Sequence, residues 1–267
     1  MQLALDGRPI DELAIDVIRD YAPKDEPYCL AYSGGKDSTV LLDLAERAGV
    51  NFIARNQWIP IEPPELRAFV RDVAKTKPII IERPKRRLID VAIEKKLLPM
   101  RNRRWCCDVL KESVPAEKCV LTGIRASESS NRAKRRMVES CTKLHAFFVH
   151  PIFDWNNSDV WQYIRERNLP YCSLYDEGFK RLGCVLCPMT RNIEQQKQRW
   201  PGQVRVWRRI ADAVYAVQQN SPHKTADDNW NFWLKRDSHA RTEEEDSCPL
   251  FAGMMDYNET NEHEVTQ

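Results

Sequence analysis

Two groups of residues in this chain have types and spacing that can do chemistry. The first is Ser33-Gly34-Gly35-Lys36-Asp37-Ser38, between the apolar run Tyr28 to Tyr32 and the helical pattern Thr39 to Ala48. Glycines let backbone N–H groups approach an anion closely, and a helix start adds partial positive charge. Lys36 adds a full charge, while Ser33 and Ser38 add hydroxyls. An ordinary strand-to-helix turn would account for Gly34 and Ser38. It would not account for Lys36, because a helix N-terminus disfavours cations. The hexapeptide therefore reads as a phosphate-binding loop, and it lacks the GxxxxGK[ST] pattern of the common nucleotide loop.

The second group is Cys106-Cys107 with Cys184-x-x-Cys187. Gly183 and Pro188 bracket the CxxC as a turn would, so its two thiolates can face one centre. Side chains of adjacent cysteines diverge, which suits two irons of one cluster better than one tetrahedral zinc. A [4Fe-4S] cluster is the favoured reading, with zinc and metal-free thiols as the alternatives. Lys111 and Arg104 would offset the charge of the cluster. Of the other cysteines, Cys29, Cys119 and Cys141 lie in or near apolar segments and read as small buried hydrophobes. Cys172 follows Tyr171 near a turn, and Cys248 sits in DSCPLF. The five histidines form no ligand spacing. Trp200, Trp207, Trp230 and Trp233 read as core, the commonest fate of helical aromatics.

These residues must be positioned by elements that the apolar pattern predicts. Helices are expected over 10–21, 39–48, 63–75 and 88–96, and over 159–168 with Asn157 or Ser158 as cap. Strands are expected over 28–32, 51–55, 78–81, 118–125 and 146–153, and Gly49 stands where a C-cap belongs. Strands alternating with helices predict an α/β domain, with a parallel sheet of about five strands and helices on both faces. Ligands bind beyond the carboxyl ends of such strands, where the hexapeptide falls. After Pro188 the strand signal ends, and the tryptophan-rich helical stretches 198–219 and 229–237 follow. The expected organisation is a sheet domain over 1–190, a helical extension over 191–240 and an acidic, flexible tail over 241–267.

The 267 residues carry a net charge of +2, so composition argues neither for nor against nucleic acid. The basic residues cluster, however, in RPKRR (83–87), RNRRW (101–105) and NRAKRR (131–136), which suggests a face for an anionic substrate. No apolar run approaches the roughly 20 residues of a membrane span, and MQLALDGRPIDEL lacks a signal-peptide pattern. A cytoplasmic protein is expected, in which nine cysteines are not a disulfide framework.

The hexapeptide resembles the pyrophosphate loop of the adenine nucleotide alpha-hydrolase superfamily. RWCCDVLK (104–111), LTGIRASES (121–129), HPIFDWNNSDVWQYI (150–164) and YDEGFKRLGCVLCP (175–188) continue the likeness, in the order of the phosphoadenylyl-sulfate reductase family. The resemblance covers about residues 25 to 190. It implies that Ser33, Gly34, Gly35, Lys36, Asp37 and Ser38 hold nucleotide phosphates, with Gly123 and Arg125 approaching from the next strand end. It casts Lys36, Asp37 and Arg125 as the catalytic residues. Its cluster-bearing branch carries CC and CxxC at comparable spacing, which favours a [4Fe-4S] cluster on Cys106, Cys107, Cys184 and Cys187. Two departures stand out. RNQWIPIEPPE (55–65) replaces an acidic-threonine segment, and Cys248 lacks the Glu-Cys-Gly-Leu-His context of the sulfur-capturing nucleophile.

The chemistry so implied is ATP cleavage at the α-phosphate, with Mg²⁺ and with Asp37 helping to hold the ion. An acceptor is adenylated and sulfur then displaces AMP. The likeness is greatest to the ATP pyrophosphatases of bacterial DNA phosphorothioation, which implies a nucleic-acid acceptor, DNA before tRNA, and a cysteine desulfurase as sulfur donor. The alternatives are reductive release of sulfite from adenylyl sulfate, tRNA thiolation, and a nucleotide-binding iron–sulfur module without turnover.

Overall fold

Apolar runs too short for helices, separated by amphipathic segments, build a sheet flanked by helices. A computed structural model describes residue 3 and residues 7–111, 117–142, 145–190, 192–219 and 221–235. In chain order the elements begin with α1 (Ile10–Asp20), β1 (Tyr28–Ala31), α2 (Lys36–Ala48), β2 (Phe52–Gln57), α3 (Pro64–Val73) and β3 (Ile79–Glu82). Next come α4 (Leu88–Lys95), α5 (Trp105–Leu110), β4 (Cys119–Leu121), α6 (Ser130–Ala133), β5 (Val138–Cys141) and β6 (Ala146–Val149). The last are α7 (Asn157–Glu166), α8 (Ile193–Arg199), α9 (Pro201–Val217) and α10 (Ala226–Lys235).

The strands run in the order β3-β2-β1-β4-β6-β5. Pairing is parallel between β1 and β2, β1 and β4, and β4 and β6, with Leu30 opposite Ala54 on one side and Leu121 on the other. Leu30, Ala54 and Leu121 are wholly buried, as interior strands covered on both faces require. The α/β expectation holds, and the strand number is corrected from about five to six. The strand that was passed over is β5, which pairs antiparallel with β6. Its sequence VESC carries only two apolar residues, and an edge strand needs no continuous apolar run.

Two other boundaries are corrected. The strand predicted over 118–125 ends at Leu121, and the one predicted over 146–153 ends at Val149. The cap of α7 is Asn156, whose side chain accepts from the Ser158 and Asp159 amides, rather than Asn157 or Ser158. Gly49 closes α2 in the left-handed conformation (φ 70°), as expected.

The described residues divide into two units, those within 1–55 and 117–170 in one and those within 56–111 and 171–235 in the other. In the first, α2 packs against α1 and α7. A polar line fixes these helices: Arg47 donates to Asp11 at 2.6 Å and to the Tyr163 hydroxyl at 3.0 Å, and Tyr163 donates to Asp43 at 2.5 Å. In the second unit, α9 packs against α4, α8 and α10. Trp200, Trp207, Trp230 and Trp233 are buried there, as expected, and the Trp207 and Trp233 ring centroids lie 5.0 Å apart. Among the described residues no helix is long and apolar enough to cross a membrane.

Candidate functional site

In the first unit the hexapeptide straddles the start of α2. The helix begins at Lys36, three residues before the predicted Thr39, so Lys36, Asp37 and Ser38 form its first turn after Gly35 as N-cap. Gly34 has φ 74°, a conformation that side chains resist. The Ser33 amide donates to Ser38 Oγ (3.3 Å) and the Gly35 amide to Ser33 Oγ (3.3 Å). The Ser38 and Thr39 hydroxyls donate back to the Gly35 carbonyl at 2.9 and 3.1 Å. The loop is thus held by its own hydroxyls.

The charges of the site meet at Asp37. Lys36 Nζ donates to Asp37 Oδ2 at 3.0 Å, and Arg125 Nε donates to Oδ1 at 2.7 Å. Lys36 and Arg125 are both buried (6 % and 3 % exposed), which is tolerable for a cation only when it is paired. Arg125 is oriented further by Nη1, which donates to Ser127 Oγ (3.0 Å) and the Trp155 carbonyl (3.3 Å). Its amide donates to Glu128 Oε2 at 3.1 Å. Gly123 approaches the same helix start, since a Cβ built there would lie 3.1 Å from the Asp37 carbonyl carbon. Two cations bracketing one carboxylate leave a net charge of +1 at a helix N-terminus, a setting that suits a phosphate ester. In this arrangement both Asp37 oxygens accept from cationic donors.

The four cysteines of interest all belong to the second unit. Cys106 and Cys107 lie in the first turn of α5, a helix the sequence reading passed over. Cys184 and Cys187 flank a turn in which the Cys187 amide donates to the Cys184 carbonyl at 3.2 Å and Leu186 takes φ 53°. The backbone of that turn is fixed from three sides. The Val185 amide donates to the Ile61 carbonyl (2.8 Å), the Leu186 amide to Gln196 Oε1 (2.8 Å), and Trp207 Nε1 to the Val185 carbonyl (2.8 Å).

A hydrogen bond with Cys106, then burial, pushes the Cys107 thiol well up. Burial pushes the Cys184 thiol up to about 12, against the pull of nearby Lys111. Lys111 Nζ pairs with Glu62 at 3.0 Å. Burial works against the Lys111 charge, but Cys184, Glu62 and Cys107 more than offset it and hold its pKa well above the usual lysine value. The surroundings thus disfavour the thiolate at Cys107 and Cys184, and positive charge such as a metal centre brings would favour it. An all-thiol donor set fits iron–sulfur chemistry. Among the described residues no three His, Cys, Asp or Glu side chains converge on a point where one metal ion would sit.

Residues 27–190 match the phosphoadenosine phosphosulfate reductase domain. The chain belongs to this family. A Bacillus anthracis adenosine 5'-phosphosulfate reductase is 30% identical over 187 residues, 66% of this chain and 82% of that protein. An uncharacterised Methanocaldococcus jannaschii protein is 30% identical over 198 residues, but the chain spans only 41% of that protein's length and 69% of its own. A solved phosphoadenylyl-sulfate reductase from Candida auris, in complex with phosphate, superposes with a TM-score of 0.50 at 22% identity, over 69% of this chain and 97% of that one. The shared feature is the fold, an α/β sheet with helices around it.

Within this reductase-domain family member, the structure brings together Ser33, Gly34, Gly35, Lys36, Asp37, Ser38, Gly123 and Arg125 as the sequence predicts. Sequence reading passed over Ser127, Glu128 and Trp155, which orient Arg125, and over Glu62, the partner of Lys111. Only the RASES stretch hinted at the first two. Cys29, Cys119 and Cys141 are buried as expected, and Cys172 is buried as well. Cys248 and the acidic tail lie outside the described residues. Four residues of the basic runs are paired with carboxylates. Arg86 bonds Glu94, Arg87 bonds Asp90, Arg132 bonds Glu128 and Arg135 bonds Glu139.

Proposed function

We propose that this protein is an ATP pyrophosphatase that adenylates a nucleic-acid acceptor for sulfur insertion, with DNA phosphorothioation as its setting in preference to tRNA thiolation. The observation that carries this reading is the Lys36–Asp37–Arg125 triad at the start of α2. A substrate pyrophosphate can replace the Asp37 carboxylate as the partner of both cations. The charge that develops when an acceptor oxygen attacks the α-phosphorus and the bond to the β-phosphate breaks then falls on Lys36, Arg125 and the backbone amides of the loop. Sulfur from a donor such as a cysteine desulfurase next displaces AMP. Mg²⁺ accompanies ATP, and the Asp37 carboxylate released from Lys36 and Arg125 can help to hold it.

Cys106, Cys107, Cys184 and Cys187 are the residues to hold a [4Fe-4S] cluster. When bound, such a cluster ties their two segments together and supplies a one-electron redox centre. Lys111 stands beside Cys184 and Cys107 to balance the charge, and the enzyme works in the cytoplasm.

A second reading, reductive release of sulfite from adenylyl sulfate, is favoured by the likeness to the Bacillus anthracis adenosine 5'-phosphosulfate reductase. The sequence around Cys248 weighs against it, since DSCPLF has neither the glycine nor the histidine of the nucleophile motif. Anaerobically purified protein, given ATP or adenylyl sulfate in parallel, decides between them. Pyrophosphate without sulfite is expected. Lys36→Ala should slow pyrophosphate release about 10²- to 10³-fold, and Cys184→Ser should abolish the brown iron–sulfur absorbance. Sulfite release that vanishes in Cys248→Ser would reverse the assignment.

A further inference from the structure

In the second unit Trp58, within the segment WIPIEPPE, has two guanidinium groups beside its ring. Trp58 is the first residue beyond β2, and Arg83 is the first beyond β3. The Trp58 amide donates to the Glu82 carbonyl at 2.8 Å, which locks these two strand ends side by side. The Arg83 guanidinium lies 5.1 Å from the Trp58 ring centroid, and that of Arg67, from α3, lies 5.4 Å away. The carboxyl ends of sheet strands are where ligands bind.

The charges around the ring are unevenly balanced. Arg86 and Arg87 of the same basic run are paired with Glu94 and Asp90. Arg83 is exposed, and among the described residues its one contact of this kind is with the Trp58 ring. Lys85 is exposed and has no ion pair among the described residues. Arg67 Nε is buried without a hydrogen-bond partner. The nearby carboxylates are already engaged: Glu62 with Lys111, Glu65 with Arg199, and Glu82 with the Gln57 amide. An indole with an exposed guanidinium over it, on a locally cationic edge, is the combination that takes a base and its neighbouring phosphate.

We propose that Trp58, with Arg83 and Arg67, is a stacking platform for one base of a single-stranded nucleic-acid segment. This deepens the nucleic-acid-acceptor reading above and rests on it. The base replaces Arg83 against the ring, and Arg83 turns onto the adjacent phosphate. An exposed cation–π contact is weaker than a base–aromatic stack, so the exchange favours the strand. A duplex would not serve, because its base faces are already stacked on one another.

The test is fluorescence anisotropy of a labelled oligothymidylate of about 12 nucleotides, with an oligouridylate of the same length in parallel. Trp58→Ala should weaken binding about 5- to 100-fold, the range for loss of one base stack. Trp58→Phe, which keeps an aromatic face, should retain most of the affinity. Arg83→Ala should weaken binding and reduce the slope of log affinity against log salt by about 0.7, one single-strand phosphate contact. Trp58-dependent binding of either oligonucleotide supports the platform. Should Trp58→Ala fail to fold, the Phe and Arg83 variants still decide the matter. Three outcomes overturn the proposal: no strand binding by the unaltered protein, equal affinity with and without an aromatic at 58, or competition by ATP that depends on Trp58, which would give the platform to the nucleotide's own base. Absence of pyrophosphate release would instead overturn the enzymatic reading while leaving the strand measurement intact.

Discussion

Gly123 shows how little room the proposed nucleotide site has. A methyl group there would come within 3.1–3.2 Å of the Asp37 carbonyl carbon, Cβ and carbonyl oxygen. Two of those atoms are backbone at the first turn of α2, where helix hydrogen bonds prevent them from swinging aside. Asp37 in turn holds Lys36 and Arg125, so a shift of a few tenths of an ångström reaches both cations. Gly123→Ala should cost about 1–3 kcal/mol, as overpacking does, and weaken binding of a non-hydrolysable ATP analogue about tenfold or more. Calorimetric titration beside a thermal melt checks both. Unchanged affinity would show that the helix start does not position the cations.

At the scale of elements, the helices after residue 190 shape the thiol loop as well as covering apolar surface. Trp207 on α9 donates to the carbonyl of Val185, which lies between Cys184 and Cys187. Trp207→Phe keeps an aromatic ring and leaves that carbonyl unsatisfied, at a cost of about 1–3 kcal/mol. Alkylation of Cys184 and Cys187 in metal-free protein, followed by peptide mass spectrometry, should run faster in the variant than in the unaltered chain. An equal rate would mean that the bonds to Ile61 and Gln196 suffice. The same logic explains why the CxxC turn tolerates Leu186 in a left-handed conformation, because its neighbours fix the backbone around it.

At the scale of the molecule, His150 ties stability to pH. It is wholly buried, and its Nδ1 lies 2.7 Å from Thr122 Oγ1. Burial, followed by the charges of Arg135 and Arg132, lowers its pKa from 6.5 to about 3. Between those values the unfolded chain binds one proton more than the folded one. The contribution is therefore fully present above about pH 6.5 and is lost as the pH falls towards 3. Its full size is on the order of 4 kcal/mol. Urea titrations at a series of pH values should show stability falling with acidity, and His150→Gln should flatten that dependence between pH 4 and 6. Parallel slopes would show that carboxylates dominate the acid limb.

Much of this was legible in the linear chain, for a physical reason. Interior parallel strands are apolar on both faces, helix ends need glycine or a capping side chain, and an anion-binding loop needs amides and a cation close together in sequence. β1, β2, β4, α2 and the hexapeptide could therefore be read directly, as could the burial of the tryptophans. Edge strand β5, the cap at Asn156 and the helix beneath Cys106 and Cys107 carry weak local signals and depend on what they pack against. Tertiary structure alone decided that Asp37 faces both Lys36 and Arg125, that Ser127 and Trp155 orient Arg125, and that Arg86, Arg87, Arg132 and Arg135 of the basic runs are paired with carboxylates. It also placed Arg83 on Trp58. Those facts rest on where side chains meet, some across tens of positions as Asp37 and Arg125 do, and hydrophobic periodicity, which reports only which face of an element is buried, does not carry them.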